Sequence, residues 1–567
     1  MLSLFAAAIL AAVAIFLVQD HARGDALSAD EPVHILSGYF EAVGRTAIVN
    51  IEHPPLAKVL AGIALARLPL PPLPDRVPLG NNFTDFGHAF LFENRVSPDA
   101  IAAAARAPFR WVLAALLALL FLWARPRYGA GPALFATALV ALDPNFLAHA
   151  GVVHTDVGAA LGFLATVLAW DRALEKPSAA RLGLAAAALG LALATKFSAI
   201  YLLPILLVQG LIAVRRRPRP GLETVRVLGR FAAVAAGAFA VVFAVYAAVT
   251  TRMNREEQRQ VLWETIGERG APRLARAIQS VAAFSPPLGH YFGGLAYVGL
   301  QNRVGGGINY MNGRTSIEGF PLYFFEAFGA KSSIAFLAAT ALALGGILFF
   351  RAGRESTLYL IPVAVLFLAS VGSSYNIGIR HLLPVYPFLA LAAAAVLSKL
   401  RSLGGRRASL AAGLAVLLPA SQAIETLRIH PHELSYFNAF AGGPERGRLL
   451  LTDSNVDWGL DLRRLARELK RRRVTNPTVV YFGGDDVAFR TGVPDFSADP
   501  VRRGSLVAVS AFHLAVGPAY YAYHGAAGVA VALQKLLDEI AARGAPAGRV
   551  GYSMYLFEIP PGGAPQR

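Results

Sequence analysis

The sequence of 567 residues contains no cysteine, which excludes disulfide bonds, thiolate metal sites and cysteine nucleophiles. Charged residues are also scarce, since Asp, Glu, Lys and Arg make up 16% of the chain, whereas about 25% is usual in soluble domains. Residues of the set AVILMFWYC account for 55%. This composition excludes disordered, collagen-like and small disulfide-stapled proteins, and it predicts a chain embedded in a bilayer.

The remaining charge is unbalanced, with 53 Lys and Arg against 36 Asp and Glu. In a soluble protein this excess would suggest nucleic acid, but here the distribution of the basic residues follows membrane topology, so no nucleic-acid partner is predicted. We mark eleven apolar runs of roughly the length that crosses a hydrocarbon core of about 30 Å. They lie near 2–18, 108–124, 131–147, 156–170, 182–197, 198–214, 231–250, 332–350, 357–371, 382–398 and 409–424.

The charges of the connections set the orientation. With a cytoplasmic N-terminus, the inner connections hold 17 Lys and Arg but 4 Asp and Glu, whereas the first outer loop, 19–107, holds 7 and 10. This asymmetry is the positive-inside pattern. We interpret 182–214 as a hairpin of two short spans, which keeps Arg215, Arg216, Arg217 and Arg219 cytoplasmic. The first span, which has no Lys or Arg before it, is expected to be an uncleaved anchor, although a cleaved signal peptide is the alternative.

The organisation that follows is a membrane domain, 1–425, and a C-terminal domain, 426–567, outside the membrane. Two long outer loops, 19–107 and 251–330, belong to the first domain, and the segment 54–65 begins with prolines and predicts an interfacial or re-entrant helix. In the second domain, strand patterns at 477–482 and 505–510 alternate with helical stretches at 459–473 and 527–543. This alternation predicts a small α/β domain.

Several outer loops concentrate polar residues that could perform chemistry. Asp30 and Glu31, with His34 one helical turn on, could serve as a general base and its electrostatic partner. The alternative is that Asp30 caps a helix in which Pro32 is early, and spacing alone favours the cap. Thr155 and Asp156 follow His154 near Asp143, where helix capping by Asp143 and Thr155 explains part of the pattern.

Basic residues accompany these acids at the predicted outer ends of spans. Lys196, Arg380 and His381 adjoin apolar spans and could hold a phosphate whose lipid tail lies in the hydrocarbon, although snorkelling to lipid headgroups is the commoner role. In the segment 52–58, Lys58 near a helix start predicts an anion site, while Glu52 and His53 could bind a divalent ion. Two such ligands do not specify a metal.

Taken in order along the chain, six stretches resemble the bacterial phospholipid-carrier-dependent transferases of glycosyltransferase family 39. This family belongs to the GT-C superfamily, with the protein O-mannosyltransferases and the lipid A aminoarabinose transferase. The stretches are Ala29-Asp30-Glu31-Pro32-Val33-His34, Glu52-His53-Pro54-Pro55-Leu56-Ala57-Lys58, Leu142-Asp143-Pro144-Asn145 with Thr155-Asp156, Ala194-Thr195-Lys196-Phe197-Ser198, Gly378-Ile379-Arg380-His381-Leu382-Leu383-Pro384, and Leu434-Ser435-Tyr436-Phe437-Asn438 with Asp453-Ser454-Asn455-Val456-Asp457-Trp458-Gly459.

The resemblance implies a GT-C-like α-helical membrane enzyme that transfers a sugar, with inversion, from a polyprenyl-phosphate carrier to a protein, lipid or polysaccharide acceptor. It implies the outer face of a bacterial inner membrane as the location. It also implies Asp30 as the base, Glu31 and Asp156 as orienting groups, and Lys196 with Arg380 as the phosphate site.

Further site residues follow from the same resemblance. Glu52 matches a zinc-binding Glu of relatives, with His290 or His381 as the histidine partner, so a divalent metal is an open expectation. Asn455 and Asp457 belong to an element found in a bacterial subset of the family. A flippase or transporter of a lipid-linked intermediate is the alternative function, although the predicted spans have no charge at their centres and show no second related half.

Overall fold

The computed structural model describes residues 1–47, 49–73, 81–215, 220–305, 307–351 and 353–560. Most of this chain is helical, and prolines open several helices because their fixed φ suits the first turn. The α-helices are Leu2–Gly24, Glu31–Tyr39, Pro55–Leu65, Asn81–Phe92, Pro98–Tyr128, Ala130–Ala141, Pro144–Ala150, Asp156–Glu175, Ala179–Leu193, Leu202–Val214, Pro220–Val249, Arg255–Leu262, Pro272–Phe284, Pro286–Val304, Tyr323–Lys331, Ile334–Phe349, Gly353–Glu355, Ile361–Val371, Val385–Ser402, Gly405–Ile429, Gly443–Leu450, Leu462–Arg472, Val487–Thr491, Ala511–Tyr523 and Ala527–Arg543.

Among the described residues, eight helices are long and apolar enough to cross a membrane, and ten if each of two bent pairs is one span. The eight are Leu2–Gly24, Pro98–Tyr128, Asp156–Glu175, Phe197–Val214, Gly221–Val249, Gly353–Val371, Val385–Ser402 and Gly405–Ile429. They expose large apolar side chains, with Phe16 63% and Leu417 66% exposed. This pattern fits lipid contact, and it confirms a multi-pass helical membrane protein.

The bent pairs account for two of the eleven predicted spans. Ala130–Ala141 meets Pro144–Ala150 at 59°, where the Asp143 side chain caps the second helix as predicted. Tyr323–Lys331 meets Ile334–Phe349 at 117°. The remaining predicted span, 182–197, corresponds to helix Ala179–Leu193. Its 15 residues reach only about 22 Å at the usual rise of about 1.5 Å per residue.

Two further predictions concern the start of the second span and the basic cluster at 215–219. The helix predicted to start near 108 begins at Pro98, so Arg106 lies on a candidate span and the first outer loop is shorter than 19–107. Of the basic cluster used to orient 182–214, Arg216, Arg217 and Arg219 lie outside the described residues.

Two helices of the segment between the first two candidate spans pack tightly against each other. Glu31–Tyr39 lies against Pro55–Leu65, the helix predicted at 54–65. A Cβ on Gly62 would lie 1.9 Å from the carbonyl oxygen of Gly38, so the two backbones touch where both residues are glycine. This contact fixes the helix that begins immediately after Asp30.

The C-terminal region contains a four-stranded sheet between helices, as the sequence predicts. A short hairpin, β1 (Asn309–Met311) and β2 (Arg314–Ser316), precedes it in the chain. The sheet has the order β3-β4-β6-β5, in which β3 (Thr478–Val480) is parallel to β4 (Leu506–Ser510). Strand β6 (Met554–Glu558) is antiparallel to both of its neighbours, β4 and β5 (Ala545–Val550). Apolar residues of Leu462–Arg472 cover one face and those of Ala527–Arg543 cover the other.

The C-terminal domain holds the segment that leads to Asp30. Ala26 N–H donates to the carbonyl of Leu460 at 2.9 Å, and Ala29 N–H donates to the carbonyl of Trp458 at 3.0 Å. Leu27 N–H donates to the Asp485 carboxylate at 3.1 Å. Backbone groups paired in this way are fixed in position, so the C-terminal domain is a structural part of the site described next.

Candidate functional site

Asp30 stands at the start of Glu31–Tyr39 but does not cap it. Its side chain makes no capping hydrogen bond, so the capping interpretation favoured by spacing is wrong. Its carboxylate instead accepts a hydrogen bond from Arg380 at 3.1 Å and lies 3.3 Å from His154 Nε2. Burial raises the pKa of Asp30, but the Arg380 charge outweighs it and holds that pKa well below its usual range. The carboxylate, 34% exposed, is therefore ionised and accessible.

Arg380 is the centre of the cluster. It lies on the short 3₁₀ turn Ile379–Leu382 and is 4% exposed. One guanidinium nitrogen donates to Asp30 and to His154 Nε2 at 2.8 Å, and the guanidinium carbon lies 4.4 Å from the ring centroid of Trp458. The Arg380 Nε–H is buried and has no hydrogen-bond partner among the described residues. A buried cation with an unused donor is suited to an anionic ligand.

His154 and Asp156 connect Arg380 to Lys196. His154 Nδ1 lies 2.6 Å from the Asp156 carboxylate, which also pairs with Lys196 and lies 3.9 Å from Arg380. Asp156 is 1% exposed, so its charge is balanced within the cluster rather than by water. Thr155, predicted as a cap, makes no capping hydrogen bond. Asp156 thus lies between two cations, Lys196 and Arg380.

His381 follows Arg380 on the same short turn. Burial lowers the pKa of the His381 imidazole well below its usual value, and the Lys196 and Arg380 charges lower it further. His381 is therefore neutral, and its Nε2 is buried without a hydrogen-bond partner. The structure thus brings together three of the predicted phosphate-binding residues, Lys196, Arg380 and His381.

Glu31 is fully buried beneath the site. Both of its oxygens accept from the Arg106 guanidinium at 2.7 Å, and they also accept from the backbone N–H groups of Ser28 and Val153. Arg106 donates further to the carbonyls of Ala22, Asp25 and Ala26. Glu31 has no open side, so it positions the segment before Asp30 and the segment before His154.

Lys58 is not part of the phosphate site. Its ammonium pairs with Glu41 at 2.6 Å, donates to the Asn50 carbonyl at 2.8 Å and is 1% exposed. Burial lowers the pKa of Lys58, and Glu41 offsets this effect. The sequence interpretation was wrong because Glu41, from the preceding helix, neutralises the charge that the helix start would have presented.

The predicted metal ligands are also arranged differently. Among the described residues, the group able to hold an ion consists of His34, His53 and His154, with ligand atoms within 4.8 Å of one another. Glu52, His290 and His381 are outside it. His154 already uses Nδ1 toward Asp156 and Nε2 toward Arg380. A metal ion on Nε2 would displace the Arg380 guanidinium, and one on Nδ1 would come between His154 and the Asp156 carboxylate, so metal binding and these contacts compete.

Asn455 and Asp457 lie behind the cluster rather than in it. Asn455 accepts from the Ile379 N–H at 3.0 Å and donates to the Tyr323 hydroxyl at 2.8 Å, which fixes the turn that carries Arg380. The Asp457 carboxylate accepts from the N–H groups of Gly459 and Phe512. Both side chains are fully buried, and Asn455 joins the C-terminal region to the turn that carries Arg380, whereas Asp457 fixes that region internally.

The structure adds His154 and Trp458 to the residues predicted from the sequence. Both stand inside stretches that the resemblance includes or adjoins, yet no spacing rule brings positions 154, 380 and 458 together. The dense polar run 154–156 at a span end was the available signal for His154. For Trp458, an aromatic residue flanked by Asp457 and Gly459 outside the spans was the signal.

Comparisons with known proteins agree with the motifs. Residues 101–222, which include Arg106, His154, Asp156 and Lys196, match the sequence profile of the family described as dolichyl-phosphate-mannose-protein mannosyltransferase. No curated protein sequence matches the chain.

Three solved structures illustrate the structural comparison. ArnT from Cupriavidus metallidurans bound to undecaprenyl phosphate aligns over 97% of both chains, with 13% identity and a TM-score of 0.46. The oligosaccharyltransferase AglB from Archaeoglobus fulgidus aligns over 74% of this chain and 56% of its own, with 15% identity and a TM-score of 0.42. The arabinosyltransferase EmbB from Mycobacterium smegmatis aligns over 77% and 43%, with 16% identity and a TM-score of 0.29.

The family match covers the segment that supplies three residues of the charge cluster, His154, Asp156 and Lys196. Over this segment the match agrees with the resemblance found in the sequence. Over residues 101–222 the chain is therefore similar to this mannosyltransferase family.

Proposed function

We propose that this protein transfers a sugar from a polyprenyl-phosphate carrier to an acceptor hydroxyl, with inversion at the anomeric carbon. The observation that carries the proposal is the direct pairing of Asp30 with Arg380. One is an accessible carboxylate, and the other is a buried cation with an unused N–H. These are the base and the phosphate ligand that such a transfer needs. The family match over residues 101–222 supports the reaction class.

In the proposed reaction the Asp30 carboxylate takes the proton of the acceptor hydroxyl. The acceptor oxygen then attacks the anomeric carbon from the side opposite the phosphate, and the bond from that carbon to the phosphate oxygen breaks. A single displacement of this kind inverts the anomeric configuration. The products are the glycosylated acceptor and the polyprenyl phosphate, and the proton remains on Asp30.

Arg380 and Lys196 stabilise the departing phosphate. Negative charge grows on its oxygens as the bond breaks, and fixed cations in a buried site stabilise such charge strongly. Both cations are held in place by Asp156. His381, neutral and with a free Nε2, is placed to donate to the same phosphate in the tautomer that carries its proton on that nitrogen.

Binding of the donor also prepares the base. In the free protein, the Arg380 charge keeps the pKa of Asp30 low, which makes Asp30 a weak base. A phosphate bound at Arg380 brings negative charge beside Asp30 and competes for the guanidinium, and both effects raise the pKa of Asp30. The acceptor is therefore deprotonated only when a donor is present.

For the location, we propose the bacterial inner membrane, with a cytoplasmic N-terminus and the C-terminal domain on the outer face. The excess of Lys and Arg in the inner connections supports this orientation. The acceptor is then a protein, lipid or polysaccharide of the cell envelope. Membrane lipids surround the spans.

The test is mass spectrometry of carrier lipids and envelope glycans from cells that lack the protein or carry Asp30→Asn. The proposal predicts that one polyprenyl-phosphate sugar accumulates and one glycan loses a residue in both strains. Glu93→Gln, which changes an exposed acid of the same loop, is the control and should restore the normal pattern. Unchanged lipids and glycans in both strains would reject the proposal, and accumulation of the carrier lipid only on the cytoplasmic face would favour a flippase.

A further inference from the structure

Lys331 is a buried lysine that the site described above does not use. It ends helix Tyr323–Lys331 at the 117° bend before Ile334–Phe349, and it is 1% exposed. None of the carboxylates in the described ranges forms an ion pair with its ammonium, which donates to backbone carbonyls instead. A buried charge is costly unless polar groups surround it, so Lys331 depends on these carbonyls.

The partners of Lys331 belong to the C-terminal region. The ammonium donates to the carbonyls of Leu434 at 2.7 Å and Asn455 at 2.6 Å. It also lies 4.6 Å from the ring centroid of Phe437, within the range of a cation–π contact. An ammonium suits this position because it has three N–H donors and no acceptor. Lys331 therefore joins two segments that helix Gly443–Leu450 separates in the sequence.

Asn455 extends this connection to the phosphate site. Its side-chain oxygen accepts from the Ile379 N–H at 3.0 Å. The hydroxyl of the preceding residue, Ser454, donates to the Ile377 carbonyl at 2.5 Å. These two hydrogen bonds hold the backbone immediately before Arg380, so the position of its turn depends on the position of Asn455.

Helix Tyr323–Lys331 holds Asn455 from both of its ends. The Tyr323 hydroxyl accepts from the Asn455 side chain at 2.8 Å, while the Lys331 ammonium donates to the Asn455 carbonyl. The helix end is itself fixed, because the Asn145 side chain donates to the Lys331 carbonyl at 2.9 Å. Side-chain and backbone contacts with one helix restrict both the position and the rotation of Asn455.

We propose that Lys331 is a positioning residue for the phosphate site. Through Asn455 it holds the turn that carries Arg380, so that the guanidinium faces the donor phosphate. The inference rests on the proposed function, in which Arg380 binds that phosphate. Lys331 uses its N–H groups on the C-terminal region, so it acts through Arg380 rather than on the phosphate itself.

Binding of undecaprenyl phosphate to the full-length protein in nanodiscs, measured by isothermal titration, tests the inference. Lys331→Met keeps the length of the side chain but removes the donors. It should weaken binding by about tenfold, the effect expected when a hydrogen bond from a charged group is weakened.

Ser333→Ala is the matched control at the same bend. The Ser333 hydroxyl caps Ile334–Phe349 and donates to Gln422, and within the described ranges it forms no hydrogen bond with Asn455. Loss of the cap should lower the melting temperature but leave the affinity for undecaprenyl phosphate unchanged. A loss of affinity equal to that of Lys331→Met would overturn the inference, because any disturbance of the bend would then be sufficient.

A double variant separates positioning of Arg380 from a general loss of structure. Arg380→Ala removes the phosphate ligand, and adding Lys331→Met should then cause no further loss of affinity, because no guanidinium remains to be positioned. Additive losses would overturn the inference. If Lys331→Met does not fold, Lys331→Gln, which keeps an amide donor, replaces it in the same comparison and should show the same lack of additivity.

The behaviour of the wild type distinguishes the two levels of the account. If the wild type binds undecaprenyl phosphate and Lys331→Met binds it equally well, the inference is overturned and the proposed function stands. If the wild type does not bind undecaprenyl phosphate, the proposed function fails, and the inference fails with it.

Discussion

The guanidinium of Arg380 lies over the indole ring of Trp458, with its central carbon 4.4 Å from the ring centroid. Arg380 comes from the membrane domain, and Trp458 comes from the region after the last span. Trp458 is 1% exposed and its carbonyl also accepts from the Ala29 N–H. The Trp458 ring thus supports the Arg380 cation, and the Trp458 backbone fixes the residue next to Asp30.

Replacing Trp458 should weaken donor binding. A desolvated cation–π contact contributes about 2 kcal/mol, so Trp458→Leu should lower the affinity for undecaprenyl phosphate by more than about tenfold. Trp458→Phe keeps an aromatic face and should retain most of the affinity. Isothermal titration of both variants measures the effect, and equal affinities for Leu and Phe variants would show that the indole only fills space.

Removing Arg106 should destabilise the fold. Its guanidinium satisfies both oxygens of Glu31, and breaking a buried ion pair from one side costs about 3–5 kcal/mol because the other charge remains buried. Arg106→Leu should therefore unfold at markedly lower temperature in detergent. Arg110→Leu, about one turn along the same helix, is the control and should behave like the wild type. A small effect of Arg106→Leu would mean that Glu31 pairs with another group or becomes protonated.

Stability should fall as the pH rises through the range where His430 loses its proton. His430 contacts Glu433 at 2.5 Å and Asp20 at 2.9 Å, and these contacts raise its pKa to about 9 against burial. Because the folded pKa is above the unfolded value near 6.5, the stabilisation is complete below about pH 6.5 and is lost toward about pH 9.

The measurement is the melting temperature of wild type and His430→Gln across this range. The difference between the two should shrink as the pH rises. A difference that stays constant with pH would show that the charge of His430 does not stabilise the contact.

Chelation of divalent metals should leave sugar transfer unchanged. The prediction follows from His154, whose Nε2 accepts from Arg380 and whose Nδ1 lies 2.6 Å from Asp156, so a metal ion held with His34 and His53 would displace one of these contacts. Transfer rates before and after dialysis against EDTA test it. Loss of activity on chelation, with recovery on adding zinc, would contradict the arrangement of His154 described here.

The fold was largely predictable, because apolar runs and strand patterns are local. Segments 54–65 and 527–543 are helices, and 477–482 and 505–510 contain strands, as their patterns indicate. The span count differs because a pattern of apolar residues does not reveal bends of 59° or 117°.

The site was predictable only in part. Motifs identified Asp30, Asp156, Lys196, Arg380 and His381, which the fold does bring together. The contacts of Asp30 and Lys58 depend on partners outside their own segments. The Asp30 carboxylate pairs with Arg380 instead of capping its helix, and Glu41 neutralises Lys58. Such pairings arise from tertiary packing, which spacing along one segment does not encode.

The most direct test of the account is a transfer assay with purified protein. Carrier lipids and envelope glycans from cells lacking the protein serve as substrates, and mass spectrometry follows the release of polyprenyl phosphate together with the gain of one sugar by the glycan. The account predicts that both appear in equal amounts with the wild type, and that Asp30→Asn slows both by about 100-fold or more, as loss of a general base does. Transfer by Asp30→Asn at the wild-type rate would contradict it.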